Sequence, residues 1–496
     1  MSPTLILGFV LGYFILLLII AHFTSKGAGN KDFFVASHQS PWYLVAFGMI
    51  GASLSGVTFI SIPGEVDAKG FYYMQVVLGY LLGYLVIATG LLPLYYRLNH
   101  TSIYTILEQR LGFWSYKTGA FFFLISRIIG ASFRLYLVVI VLQRFVFDPW
   151  NVPFEVTVIL TLLLIWIYTF RGGIKTIVWT DTLQTLFMLI AVLFSIYYLI
   201  GDLGISASGI YGSIVDSDLG QIFFWDWQDD RFFFKQFFAG AFIAIVMTGL
   251  DQDMMQKNLS CKNIGDAQKN MFWFSIILVI VNFIFLCVGG LLFMYAQKNG
   301  IAIPTREVAG VAKPATDLLF PTIALQHMPI MASMIFVLGL IAAAYSSADS
   351  ALTALTTSFC VDFLGFEKSE AKNSSMQRYI VHIGFTVVLF FVIIFFYKIN
   401  DGTVITKLFK AAGYTYGPLL GLFGFGILTK RSIIDKYAIA VCLVAPILSY
   451  IINENSEAWF NGYKFGFEIL ILNGLLTFLG LLMISKSSNS KSLINN

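Results

Sequence analysis

The sequence predicts an all-α integral membrane protein with about thirteen transmembrane helices, and three observations carry that prediction. First, 58% of its 496 residues are hydrophobic and only 12% are charged, where a soluble chain has roughly 25% charged; the mean hydropathy is +0.81. Second, the apolar residues fall into long runs, each close to the ~20 residues that one bilayer crossing takes. Third, the runs are continuously apolar and lack the roughly ten-residue alternating segments of a membrane β-barrel. Helices satisfy their own backbone polar groups in lipid, and open sheet edges do not.

In chain order the predicted spans are 4–23, 42–62, 71–96, 119–147, 152–170, 178–201, 232–250, 271–296, 329–361, 378–397, 404–428, 437–453 and 465–485. The first run, Thr4 to Phe23, lacks a basic leader and a small-residue cleavage site, so it reads as a retained helix and not a signal peptide. The longest connections, 202–231 and 297–328, are too short for a soluble domain, and residues 1–496 read as a single transmembrane domain. An odd number of spans puts the termini on opposite sides. With the N-terminus outside, the cytoplasmic segments hold 18 Lys and Arg, among them Lys31, Arg171, Lys257, Lys368, Lys372 and Lys491, against 9 outside. That excess predicts N-terminus outside and C-terminus inside. The short tails fit a bacterial inner membrane.

Four spans and one helix end are polar where a lipid-facing helix would be bland, and polar groups at membrane depth are costly and rarely idle. In the second span, Gly48 to Thr58 contains Gly48, Gly51, Gly56, Ser53, Ser55 and Thr58. Glycine lowers helix propensity by about 1 kcal/mol relative to alanine. A break here would free carbonyls for a cation; a small-residue packing face fits the same pattern. The ninth span carries Ala342 to Ser350, with Ser346, Asp349 and Ser350 close to one face. Hydroxyls beside a carboxylate suit a hard monovalent cation, and a carboxylate satisfied by a neighbouring helix fits as well. The sixth span opens with Trp179-Thr-Asp181, where Asp181 is either buried or a helix cap. The fourth holds Arg127 and Arg134, seven apart on one face; Asp181, Asp349 or a solute carboxylate would answer them. Thr248 to Asp253 joins glycine to acidic residues after span seven, as a buried group or a solvated loop.

Other chemistries find no support. A net charge of +4 gives no case for nucleic-acid binding. Cys261, Cys287, Cys360 and Cys442 are scattered and read as free thiols. No HExxH, phosphate loop or Ser-His-Asp pattern occurs, so the chain does not read as an enzyme.

The polar segments resemble the signatures of the sodium/solute symporter family. The matches are Arg171-Gly-Gly-Ile-Lys-Thr-Ile-Val-Trp-Thr-Asp-Thr-Leu-Gln184, Gly249-Leu-Asp-Gln-Asp-Met-Met-Gln-Lys257 and Ala342-Ala-Ala-Tyr-Ser-Ser-Ala-Asp-Ser350, with Lys31-Asp-Phe-Phe-Val-Ala36 and Ser102-Ile-Tyr-Thr-Ile-Leu-Glu-Gln-Arg110 before them. The resemblance runs from about residue 5 to 430. It implies a LeuT-type core of two inverted five-helix repeats, 42–201 and 232–428, with an extra first helix at 4–23 and extra C-terminal helices at 437–485. It implies a sodium ion held by the carbonyls of Gly51, Leu54 and Ala343 and the hydroxyls of Ser346 and Ser347. Sialic-acid-transporting relatives have a further sodium nearby, whose matching positions are Ser55, Thr58, Asp181, Ser346, Asp349 and Ser350. Asp349 departs from those relatives, which carry serine. The implied substrate pocket includes Ser53, Ser55, Thr58 and Gln75. Met247 stands where a sugar-stacking aromatic lies in a galactose-transporting relative, and Arg127 and Arg134 suit an anionic solute. The function implied is sodium-driven symport of a small polar or anionic solute (sialic acid, sugar, amino acid or monocarboxylate) across the lipid bilayer, with no obligate protein partner. A proton-coupled symporter or an uncoupled uniporter or channel are the rivals.

Overall fold

The structure is a computed structural model and describes residues 3–26, 33–34, 36–98, 100–170, 173–308, 311–366, 374–399 and 404–486. Lys31, Arg171, Lys368, Lys372 and Lys491 of the charge tally lie outside them, as do Asp32, Val35 and Gly172 of the quoted motifs.

Each predicted run is met by helix. In chain order the helices are α1 (Pro3–Thr24), α2 (Trp42–Ser53), α3 (Gly56–Lys69), α4 (Tyr73–Leu98), α5 (Phe113–Trp150), α6 (Phe154–Thr169), α7 (Ile174–Leu203) and α8 (Phe233–Gly249). They continue with α9 (Gln252–Leu259), α10 (Ile264–Lys298), α11 (Ile330–Phe363), α12 (Ser374–Ile399), α13 (Val404–Thr415), α14 (Gly417–Leu428), α15 (Asp435–Glu454) and α16 (Ile469–Met483). Among the described residues, eight helices are long and apolar enough to cross a membrane, and up to 11 spans result if each bent pair counts as one. The bent pairs are α2/α3 at 52°, α8/α9 at 64° and α13/α14 at 44°. Sequence reasoning pointed to the first two bends and passed over the third, where Gly417-Pro418 lies within the run 404–428. α10 starts at Ile264 because the Asn263 side chain accepts from the Asp266 amide at 2.9 Å.

Two small pairings depart from the all-helical expectation. Thr305–Val308 pairs antiparallel with Val311–Pro314 inside the 297–328 connection, and Ser432–Ile433 pairs with Ser485–Lys486. Both lie outside the long apolar helices, where edge groups are not forced to face lipid.

The two broken helices that carry the polar motifs sit inside the bundle. The outer helices expose apolar side chains, such as Leu11 and Ile15 of α1, Ile159 and Leu163 of α6, Phe391 and Phe395 of α12, and Ile447 of α15. That belt is what a bilayer would cover. Small residues bring helices together inside. A Cβ on Gly79 of α4 would lie 1.9 Å from the Phe237 carbonyl oxygen, and one on Gly240 of α8 would lie 2.0 Å from that of Val76. α4 and α8 therefore cross at backbone contact, the arrangement that small residues permit in membranes. Gly240→Val should force them apart and cost about 1–3 kcal/mol. Thermal unfolding in detergent checks this; an unchanged midpoint would show that the two backbones do not touch.

Candidate functional site

α2 ends where Leu54 (φ −84°, ψ 73°) and Ser55 (φ −75°, ψ −179°) leave the helical region, and α3 begins at Gly56. A helix end leaves its last carbonyls without amide partners in the helix. α11 crosses this break with Ala342 to Ser350, all buried. The Ser347 hydroxyl lies 3.3 Å from the Ala52 carbonyl oxygen and 3.5 Å from that of Ala343. Ser346 Oγ donates to Asp181 Oδ1 at 2.8 Å. A Cβ on Gly51 would lie 2.1 Å from Thr185 Oγ1 and 3.4 Å from Ser346 Oγ, so any side chain there would fill the crossing. Gly48 packs against α7 as well, its Cβ position 3.1 Å from Asp181 Cβ. The two readings of this segment therefore both hold: it is a close packing face and it breaks four residues further on. Gly51 and the Ala52 carbonyl of α2 thus meet Ala343, Ser346 and Ser347 of α11 at one crossing, with Leu54 at the break beside them. Unwound carbonyls with hydroxyls are of the kind that hold sodium in transporters.

Beneath the crossing lies a buried charge network. Asp181 is inside α7, well past its first turn, and so is no helix cap. Its Oδ2 lies 2.7 Å from Lys257 Nζ and 3.5 Å from Ser350 Oγ. Lys257 is 2% exposed on α9, so it is not the loop charge that the orientation tally made it. Asp349 accepts from the Tyr168 hydroxyl at 2.7 Å and from the Ser350 amide at 2.5 Å. Asp251 caps α9, accepting from the amides of Asp253 at 3.0 Å and Met254 at 3.4 Å, and from the Tyr416 hydroxyl at 2.6 Å. Arg127 is ion-paired with Asp253, and its Nη1 stands 4.0 Å from Asp251 Oδ2. The partner of Arg127 is therefore Asp253, not Asp181 or Asp349. Asp251 and Asp253 are fully buried, which rules out a solvated loop.

Above the network, a cavity is lined by Ser53, Ser55, Thr58, Arg127, Arg134, Met247 and Asn282, with Tyr73, Tyr80, Tyr84 and Phe409 among its aromatic residues. Arg134 is buried and meets no hydrogen-bond or ion-pair partner among the described residues, and its Nε is unsatisfied. Gln75 is not in the wall. Its Nε2 donates to the Arg231 carbonyl at 2.8 Å and its Oε1 accepts from the Phe224 amide at 3.3 Å, so the amide is spent holding the outer loop. In that loop, hydrogen bonds from Arg231 hold the Asp229 carboxyl well below the usual carboxylate range. Ser55 and Thr58 face the cavity, and no hydrogen bond links them to Asp181, Asp349 or Ser350 among the described residues. Lys257 already stands on Asp181.

The sodium:solute symporter family profile matches residues 33–435. The chain belongs to the sodium:solute symporter family. This symporter is 23% identical over 477 residues to the sodium/sialic acid symporter NanT of Aliivibrio fischeri, covering 92% of this chain and 89% of that one. It is 25% identical over 443 residues to the sodium/sialic acid symporter SiaT of Proteus mirabilis, covering 84% and 83%. Its fold matches a substrate-bound, outward-open Na+-coupled sialic acid symporter with a TM-score of 0.81 at 21% identity, over 97% of this chain and 99% of that one.

Sequence reasoning missed three partners in the symporter's network. Lys257 was hidden because the apolar run stops at 250, ahead of α9. Tyr168 and Tyr416 sit in aromatic-rich helices where nothing singles them out. Replacing Asp253 by Asn removes the nearest counter-charge of the buried Arg127 and leaves it only Asp251, at 4.0 Å. We expect Asp253→Asn to cost about 3–5 kcal/mol, and the double variant Arg127→Met/Asp253→Leu to recover most of it. Unfolding in detergent decides; equal losses in both variants would mean that the charge pairing is not what stabilises the network.

Proposed function

We propose that this chain is a sodium-driven symporter of a small organic anion, carrying both into the cell by alternating access. Arg134 is the observation that carries the reading. A buried arginine facing a membrane cavity is costly unless answered, and its planar donors match a carboxylate. The relatives named for sialic acid, a carboxylate, agree with an acidic solute. Met247 offers no aromatic face for a sugar ring to stack on.

In this reading the carbonyls of Gly51, Leu54 and Ala343 and the hydroxyls of Ser346 and Ser347 hold one sodium. The ion ties the α2/α3 break to α11, and Ser53, Ser55 and Thr58 on the same break then face the solute. Binding sodium first thus completes the wall that receives the anion. The spans number thirteen in the plasma membrane, N-terminus outside and C-terminus inside, counting α6 and α16 and one span for each bent pair. Residues 42–201 and 232–428 form two inverted repeats. The breaks α2/α3 and α8/α9 at corresponding places support that symmetry, since interrupted helices in both halves mark the binding site of such transporters.

Two variants test the assignment in proteoliposomes. Ser347→Ala should raise the sodium concentration for half-maximal uptake about tenfold, the equivalent of ~1.4 kcal/mol. Arg134→Gln should abolish sodium-driven uptake of acidic solutes. A well-expressed Ser347→Ala with unchanged sodium dependence removes the ion from this crossing. Uptake of an acidic solute that survives Arg134→Gln removes the anion from that arginine.

A further inference from the structure

We infer that Lys257 is a tethered cation that fills the position beside Asp181 which a second coupling ion would otherwise take, so that a single sodium accompanies each solute. The inference rests on the sodium reading above. Asp181 is fully buried and stands one hydroxyl away from the proposed sodium, through Ser346 Oγ at 2.8 Å. A bare carboxylate in that place, with Ser346 and Ser350 around it, would draw a cation. The chain supplies that cation itself: Lys257 Nζ lies 2.7 Å from Asp181 Oδ2 and 4.0 Å from Asp253 Oδ1.

The lysine is held there by its own half-helix. Asp251 caps α9 at one end. Gln256, the neighbour of Lys257, donates to the Phe34 carbonyl and to Thr357 Oγ1, the latter at 3.0 Å. α2 closes over the other side, where the Cβ position of Gly48 is 3.1 Å from Asp181 Cβ. An ammonium anchored in this way neutralises Asp181 at every sodium concentration and cannot be carried across. With a monoanionic solute the cycle then moves no net charge, and the sodium concentration ratio alone sets the accumulation.

The test uses the full chain in detergent with sodium alone as the probe. Equilibrium binding of radioactive sodium counts ions per chain, and the rise of thermal stability with the logarithm of sodium concentration counts them independently. The wild type should bind about one sodium, and Lys257→Gln about two with a roughly doubled slope. Asp181→Asn/Lys257→Gln carries neither charge and should return to about one. Where Lys257→Gln folds only in sodium, a slope of stability against the logarithm of sodium concentration twice that of the wild type supports the inference, and an equal slope overturns it. Two ions on the wild type overturn it whether or not the variants fold. So does a folded Lys257→Gln that still binds one, or a double variant that binds two. If the wild type binds no sodium at all, the symport reading fails instead.

Discussion

A carboxylate held at membrane depth has to be answered by a cation or by hydrogen-bond donors, and the interior of this protein is arranged around four that are. Asp181, Asp251, Asp253 and Asp349 are all fully buried. Their partners come from separate parts of the chain: Lys257 from α9, Ser346 from α11, Arg127 from α5, Tyr168 from α6 and Tyr416 from the α13/α14 corner. Magnitudes rank these contacts above those at the surface. Breaking a buried pair costs about 3–5 kcal/mol, whereas an exposed pair is worth about 0–1 kcal/mol. The exposed Lys464–Glu457 pair at 2.9 Å is therefore of little weight beside Lys257–Asp181 at 2.7 Å.

The same network explains why the helices break where they do. Unwound backbone is tolerated at membrane depth only where it is buried in protein or lines a cavity. At α2/α3 the break faces the hydroxyls of α11 and the cavity. At α8/α9 the Asp251 side chain takes up the first amides of the new helix. Tyr416, the corner of the third bend, bonds to that same Asp251. The second and third bends are thus joined directly through a side chain, while the first is tied to α11.

Much of this was legible in the sequence. The apolar runs located the helices, because composition at span length is dictated by lipid. The Gly48 to Thr58 and Thr248 to Asp253 segments pointed to the first two breaks, since glycine beside hydroxyl or acidic groups weakens a span, although a packing face or a solvated loop fitted the same residues. The residue pairings were much less legible. Arg127 needed a partner by simple electrostatics, yet the polar segments offered Asp181, Asp251, Asp253 and Asp349, and only the fold selects Asp253. Lys257 read as a positive charge past the end of a span, since periodicity does not show a half-helix turning back into the bundle. Gln75 lay near the pocket in sequence order, but its amide faces the outer loop.

The central claim is that one crossing of α2/α3 with α11 binds sodium and so completes a cavity for an anion at Arg134. The direct measurement is thermal stability of the purified wild type against monocarboxylates, sialic acids, amino acids and sugars, in sodium and in potassium. A ligand that binds the folded state raises apparent stability by mass action. The account predicts that acidic solutes stabilise in sodium and not in potassium. Equal stabilisation in both salts, or stabilisation by neutral sugars alone, would contradict it.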